Sequence, residues 1–139
     1  MTAALRPATA DDAAILAVHH HRALRASGSS DEDATLETGA VLPWLRAELT
    51  AGRLIAVIAG DGVSALGSAA LHHATRPHAF DDATLLFVYL EQPDPPLEHA
   101  LVSALLSEAR LRGIARLNAA PELLEGLGLE ALDVRAWRL

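Results

Sequence analysis

Thr84-Leu85-Leu86-Phe87-Val88-Tyr89-Leu90-Glu91-Gln92-Pro93-Asp94-Pro95-Pro96-Leu97 carries the reading of the fold. Residues 84–90 are apolar at odd and even positions alike, the pattern of a central strand covered on both faces. Glu91 to Pro96 breaks that strand with three prolines. From Leu97 to Arg112, Leu101, Leu105 and Ala109 recur at helical spacing with Val102 and Leu106 beside them, and Gly113 stops the helix. Ile114-Ala115-Arg116-Leu117-Asn118 then reads as a short strand. A strand, a long amphipathic helix and a second strand indicate an α/β (α+β) domain, and in such sheets function gathers where central strands end.

Toward the N-terminus, Gly60-Asp61-Gly62 is a tight-turn signal between apolar Arg53 to Ala59 and Val63 to His73, which predicts a hairpin. Thr9 and Asp12 have capping-box spacing for a helix from about Asp11 to Ala26. On that helix Ile15, Leu16, Val18 and Ala23 share one side, with His19 in its middle and His21 and Arg25 pointing away. Gly28 to Ala40 holds Asp31, Glu32, Asp33 and Glu37 and no Arg, and reads as a mobile acidic loop. Pro43 is expected in the first turn of a short second helix that carries Leu42, Leu45 and Leu49 and closes at Gly52. Beyond Asn118, a short helix over Pro121 to Glu125 and one extended piece over Leu129 to Leu139 complete the chain.

The 139 residues fit one domain, residues 1–139, and the 51% hydrophobic content, dominated by Ala and Leu, predicts an aliphatic core. All eleven positive residues are Arg, against eighteen carboxylates; the net charge of -7 argues against nucleic acid as a partner. No apolar run is long enough to span a membrane and the first residues form no leader, so no membrane partner and a cytoplasmic location are expected. The absence of Cys excludes disulfides, thiolate metal sites and a cysteine nucleophile. The absence of Lys excludes a P-loop, and no Gly-x-Ser-x-Gly elbow is present. Neither His19-His20-His21 nor His72-His73 has the one-sided spacing of a metal site, so no metal is expected.

The order strand, two helices, hairpin, central strand, long helix, strand, short helix, strand resembles the GNAT superfamily of N-acetyltransferases over essentially the whole chain. Arg53 to Leu71 with Gly67, Ser103 to Leu117, and Leu127-Gly128-Leu129 are similar to that family's hairpin, long helix and late turn. The resemblance implies a mixed, mostly antiparallel sheet flanked by helices, and acetyl-CoA as cofactor. It places backbone groups of Val88, Tyr89 and Leu90, with Asn118, against the pantetheine arm. Two positions depart from the family's pattern. The loop that would hold the pyrophosphate falls in Gln92 to Glu98, which has no glycine, three prolines and two carboxylates. The tyrosine that would protonate the leaving thiolate is matched by Leu124, and the nearest phenol is Tyr89.

Two functions follow as expectations. One is transfer of an acetyl group from acetyl-CoA to a small amine, with Glu91 as base, Tyr89 as the remaining phenol, and His19 and His72 lining the acceptor cleft. The acidic segment would recruit a cationic acceptor. The other is a non-catalytic module of the same fold that acts by association, as a homodimer through its last strand or through Trp44 or Trp137.

Overall fold

The computed structural model describes residues 3–73, 82–118, 130–131 and 136–138. β1 (Ala4–Pro7) leads through a 3₁₀ turn at Ala10–Asp12 into α1 (Ala13–Ala26) and α2 (Asp31–Ala51). The chain continues through β2 (Leu54–Gly60), β3 (Ala65–His73), β4 (Asp82–Leu90), α3 (Pro95–Leu111) and β5 (Arg116–Asn118), and ends in β6 (Glu130–Ala131) and β7 (Ala136–Arg138). One seven-stranded sheet runs in the order β1-β2-β3-β4-β5-β7-β6. Only β4 and β5 pair in parallel, joined by α3 as crossover, and the other pairs are antiparallel. The expected mixed, mostly antiparallel sheet is therefore what forms.

Alternation along β2 and β3 divides the core between two faces. Ile55, Val57, Ala59, Ala69 and Leu71 pack under α3 with Leu101, Val102, Leu105, Leu106 and Ala109. Leu54, Ala56, Ile58, Ala70 and Phe87 pack under Ala13, Leu16 and Ala17 of α1 and Leu45 of α2. Because both faces are covered, β2 is buried from Leu54 to Ala59 without a polar residue.

The start of α1 is pinned by charge. Arg6 of β1 makes two 2.8 Å bonds to the buried carboxylate of Asp12, which also accepts the Thr9 amide at 2.8 Å. The guanidinium holds Asp12 below its ordinary pKa. The capping-box spacing thus marks the right place, with the first turn wound as 3₁₀.

Three expectations are corrected. The acidic segment is no loop: from Asp31 it is the first half of α2. Ser30 Oγ accepts the Asp33 amide at 3.1 Å, and Asp31, Glu32 and Asp33 sit where the positive end of the helix dipole favours carboxylates. Pro43 consequently lies inside the helix and not in its first turn, with Gly39 four residues before it, where the proline ring meets the carbonyl. Pro43→Ala is expected to raise stability by about 1–2 kcal/mol. Relief of an interior proline, roughly 3 kcal/mol, is partly offset by the greater freedom of the unfolded chain. Urea unfolding of the two proteins checks it. Second, the last extended piece contains two strands, β6 and β7, paired Ala131 to Trp137 and Glu130 to Arg138, because a chain that doubles back keeps the same alternation on both arms. Third, Val18 is 45% exposed, since α1 buries the narrower stripe Ala13, Leu16, Ala17 and His19. The short helix at Pro121 to Glu125, Leu124 and Leu127-Gly128-Leu129 lie outside the described residues.

Candidate active site

The parallel pairing of β4 with β5 covers only Asp82 to Thr84, opposite Arg116 to Asn118. β4 runs on to Leu90 against β3, so from Leu85 onward its other edge has no strand partner among the described residues. The register between β3 and β4 slips at Ala70/Leu71, which leaves Leu86 as the extra residue of a bulge. The Glu91 amide donates to Leu66 O at 2.8 Å. By strand alternation the amides of Tyr89 and Phe87 also face β3, while the N–H and C=O groups of Val88 and Leu90 face the open edge. Asn118 is the last described residue of β5 and pairs with Thr84.

Four side chains meet at the end of this open strand. Glu91 is ion-paired with Arg22 of α1, accepts the Tyr89 hydroxyl at 3.4 Å and has His19 Nε2 at 3.8 Å. The His19 and Tyr89 rings stand 4.9 Å apart. On its other side His19 Nδ1 is 2.6 Å from Oγ of Ser68, a fully buried residue of β3. His19 is itself buried, and burial holds its pKa below the ordinary histidine value; Glu91 opposes that shift and Arg22 adds to it. The imidazole is neutral at pH 7, with one nitrogen on a hydroxyl and the other toward a carboxylate. Glu91, Tyr89 and His19, named from sequence, are thus brought together, with Val88 and Leu90 beside them.

His72 is not among them. It lies at the opposite end of β3, where it pairs with Thr84 and Leu54 across the sheet. Its Nε2 bonds Glu48 at 3.0 Å and its ring stacks 4.9 Å from Trp44. Glu48 is also gripped by Arg53 at 2.6 and 2.9 Å; together the Arg53 and His72 hydrogen bonds pull its pKa to about 2. This cluster clamps α2 to the β2–β3 pair.

His20 lines a cavity of its own. A cavity of about 320 Å³ lies between α1, α2 and β4, lined by His20, Glu37, Val41, Trp44, Leu86 and Phe87. Its Nδ1 is buried without a hydrogen-bond partner among the described residues, and its ring lies 5.7 Å from that of Phe87. Phe87 and Tyr89 are two residues apart on one face of β4, so this cavity and the Glu91 cluster are neighbours. The cavity was hidden in the sequence because Glu37 and Val41 face α1 only when α2 starts at Asp31. Arg22 was legible, three residues from His19 on the same helical face.

His20, like His19, has its pKa lowered chiefly by burial. An unfolded histidine binds a proton below about pH 6.5 while these two stay neutral, so the unfolded state gains protons first and stability falls with pH. Urea midpoints should drop between pH 7 and pH 5, and the drop should shrink in a His19→Gln/His20→Gln double variant. Below about pH 4.5 the Glu48 contribution is lost in addition, since its folded pKa is depressed to about 2.

The sequence matches no family model, and no curated protein sequence is similar to it. Solved structures are similar over most of the chain. A GCN5-related N-acetyltransferase from Ralstonia eutropha JMP134 shares 20% identity at a TM-score of 0.78, covering 93% of each chain. A predicted acetyltransferase with acetyl-CoA from Clostridium acetobutylicum shares 18% at 0.72, over 94% of this chain and 92% of that one. The PaiA N-acetyltransferase of Thermoplasma acidophilum, in complex with coenzyme A, shares 16% at 0.63, over 99% and 96%.

The coenzyme implied by this fold fits these residues only in part. The open β4 edge suits an amide-bearing arm laid along it, since Val88 and Leu90 present both donors and acceptors there. The start of α3 does not suit a diphosphate. Pro95 and Pro96 lack N–H groups, the Leu97 amide is taken by Asp94 Oδ1 at 3.1 Å, and the Glu98 amide by Asp94 O at 2.9 Å.

Proposed function

We propose that this protein, whose fold is that of the GNAT N-acetyltransferases, joins a thioester-borne acyl group to a small amine at the Glu91 end of β4. The observation that carries the reading is the β4 edge that has no strand partner among the described residues beyond Thr84, with Glu91, Tyr89 and His19 gathered at the end of that strand. Similarity to proteins solved with acetyl-CoA or coenzyme A supports a thioester donor along that edge. A thioester supplies an acyl carbon open to attack by an amine. Val88 and Leu90 align the donor arm through their backbone groups, and Asn118 borders the arm at the end of β5.

The amine enters from the α1/α2 side, where Glu37 and Trp44 at the cavity rim favour a cation and His20 Nδ1 offers a hydrogen bond. Glu91 receives the proton that the amine gives up, and the Tyr89 hydroxyl is the phenol placed to protonate a leaving thiolate. Arg22 holds Glu91 beside Tyr89 by its ion pair, and His19 is held behind it by Ser68. The test is thiol release from S-acetylpantetheine and from acetyl-CoA in the presence of a panel of primary amines. Amine-dependent release supports the reading; release at the uncatalysed rate with every amine contradicts it.

A second reading, a non-catalytic module of this fold acting by association, is favoured by the closed start of α3. It expects a homodimer or a complex, and a monomer at all concentrations in sedimentation velocity counts against the homodimer. Residence in the cytoplasm is part of both readings.

A further inference from the structure

The amides at the start of α3 admit a complete accounting. Of the seven residues from Gln92 to Glu98, Pro93, Pro95 and Pro96 have no N–H. Leu97 donates to the Asp94 side chain and Glu98 to the Asp94 carbonyl. Only the amides of Gln92 and Asp94 are left to meet an anion. A helix start binds phosphate because free N–H groups and the positive dipole end act together. Here the chain's own carboxylate occupies that place, and Glu98 adds a second negative charge within the first turn. Among the described residues, no strand pairs with the β5-side edge of β4 beyond Thr84.

We infer that this chain recognises its donor only through the uncharged pantetheine-like arm along β4, so that its donor class is a thioester held without any diphosphate contact at α3. This rests on the acyl-transfer reading above and narrows it. The arm's amides pair with the Val88 and Leu90 backbone, and whatever extends beyond the arm lies in solvent past Asp94. Affinity then carries no electrostatic component from phosphate, and added salt does not weaken it.

Calorimetric titration of the intact protein with S-acetylpantetheine, S-acetyl-4′-phosphopantetheine and acetyl-CoA tests this. The three are expected to bind within about threefold of one another, at low and at high salt. Asp94→Gly frees the Leu97 amide and removes the charge that together close this helix start, and is expected to tighten acetyl-CoA several-fold while leaving S-acetylpantetheine unchanged. Acetyl-CoA binding about tenfold or more tighter than S-acetylpantetheine to the unaltered protein would overturn the inference and leave the acyl-transfer reading standing. An Asp94→Gly variant with the same donor ratio as the parent also counts against it. Failure of all three thioesters to bind defeats the acyl-transfer reading itself, and the inference with it.

Discussion

Glu91→Gln is expected to lower amine-dependent thiol release by about 10²- to 10⁴-fold in kcat, the usual contribution of a positioned proton acceptor. The substitution keeps the shape of the side chain, so the Tyr89 hydroxyl retains an acceptor at the 3.4 Å position. What it removes is the charge that pairs with Arg22 and faces His19 Nε2. KM for the thioester should change little, because the donor lies along the backbone of Val88 and Leu90 and not on the carboxylate. The split between kcat, which falls, and KM, which does not, provides a check that a structural role would not move. A variant with parental kcat removes Glu91 from the chemistry.

Gly67→Ala is expected to destabilise the fold by about 1–3 kcal/mol and to abolish thioester binding. A Cβ at this position would stand 2.5 Å from the Tyr89 carbonyl oxygen and 2.6 Å from Leu90 Cδ2, with Leu101 Cδ1 at 3.3 Å. The leucine methyl can turn away, but a backbone oxygen cannot, so β4 must move away from β3 over Tyr89 and Leu90. Those are the residues whose backbone forms the proposed donor edge and whose end carries Glu91. A core substitution of similar cost away from the edge, such as Val102→Ala on the buried face of α3, should destabilise comparably and leave binding intact. Urea unfolding with calorimetry on both variants separates the two effects. Unchanged binding in Gly67→Ala would show that the close approach of β3 to β4 does not shape the site.

These two residues also show what could be read from the chain alone. Gly67 was named through the resemblance of residues 53–71 to the GNAT hairpin, and Glu91 as the carboxylate just past a doubly apolar strand. The layered sheet was legible for the same reason, since odd and even positions of residues 54–59 and 84–90 must all find cover. α2 was misread because Pro43 and a run of carboxylates look like a loop and a helix start. The deciding Ser30 cap and the favourable dipole depend on where the chain leaves α1. That single misreading hid the cavity at His20, and His72, expected from sequence to line the acceptor cleft, is held by Glu48 at the other end of β3. Pairs such as His19 with Ser68, forty-nine residues apart, leave no periodic trace at all.

The closed helix start at Asp94 and the open edge at β4 together make a division of labour that differs from an anion-led site. In the proposed reading the charge at this helix start is negative at Asp94 and Glu98, so donor recognition would fall to backbone hydrogen bonds and apolar contact, and Glu37 beside Trp44 would suit a cationic amine.

The most direct measurement is a ¹H–¹⁵N correlation spectrum of the protein titrated with S-acetylpantetheine. The account predicts saturable shifts of the Val88 and Leu90 amides, with smaller shifts at Tyr89, whose amide faces β3, and none at Leu97 or Glu98. Saturable shifts confined to α3, or to residues remote from β4, would contradict it.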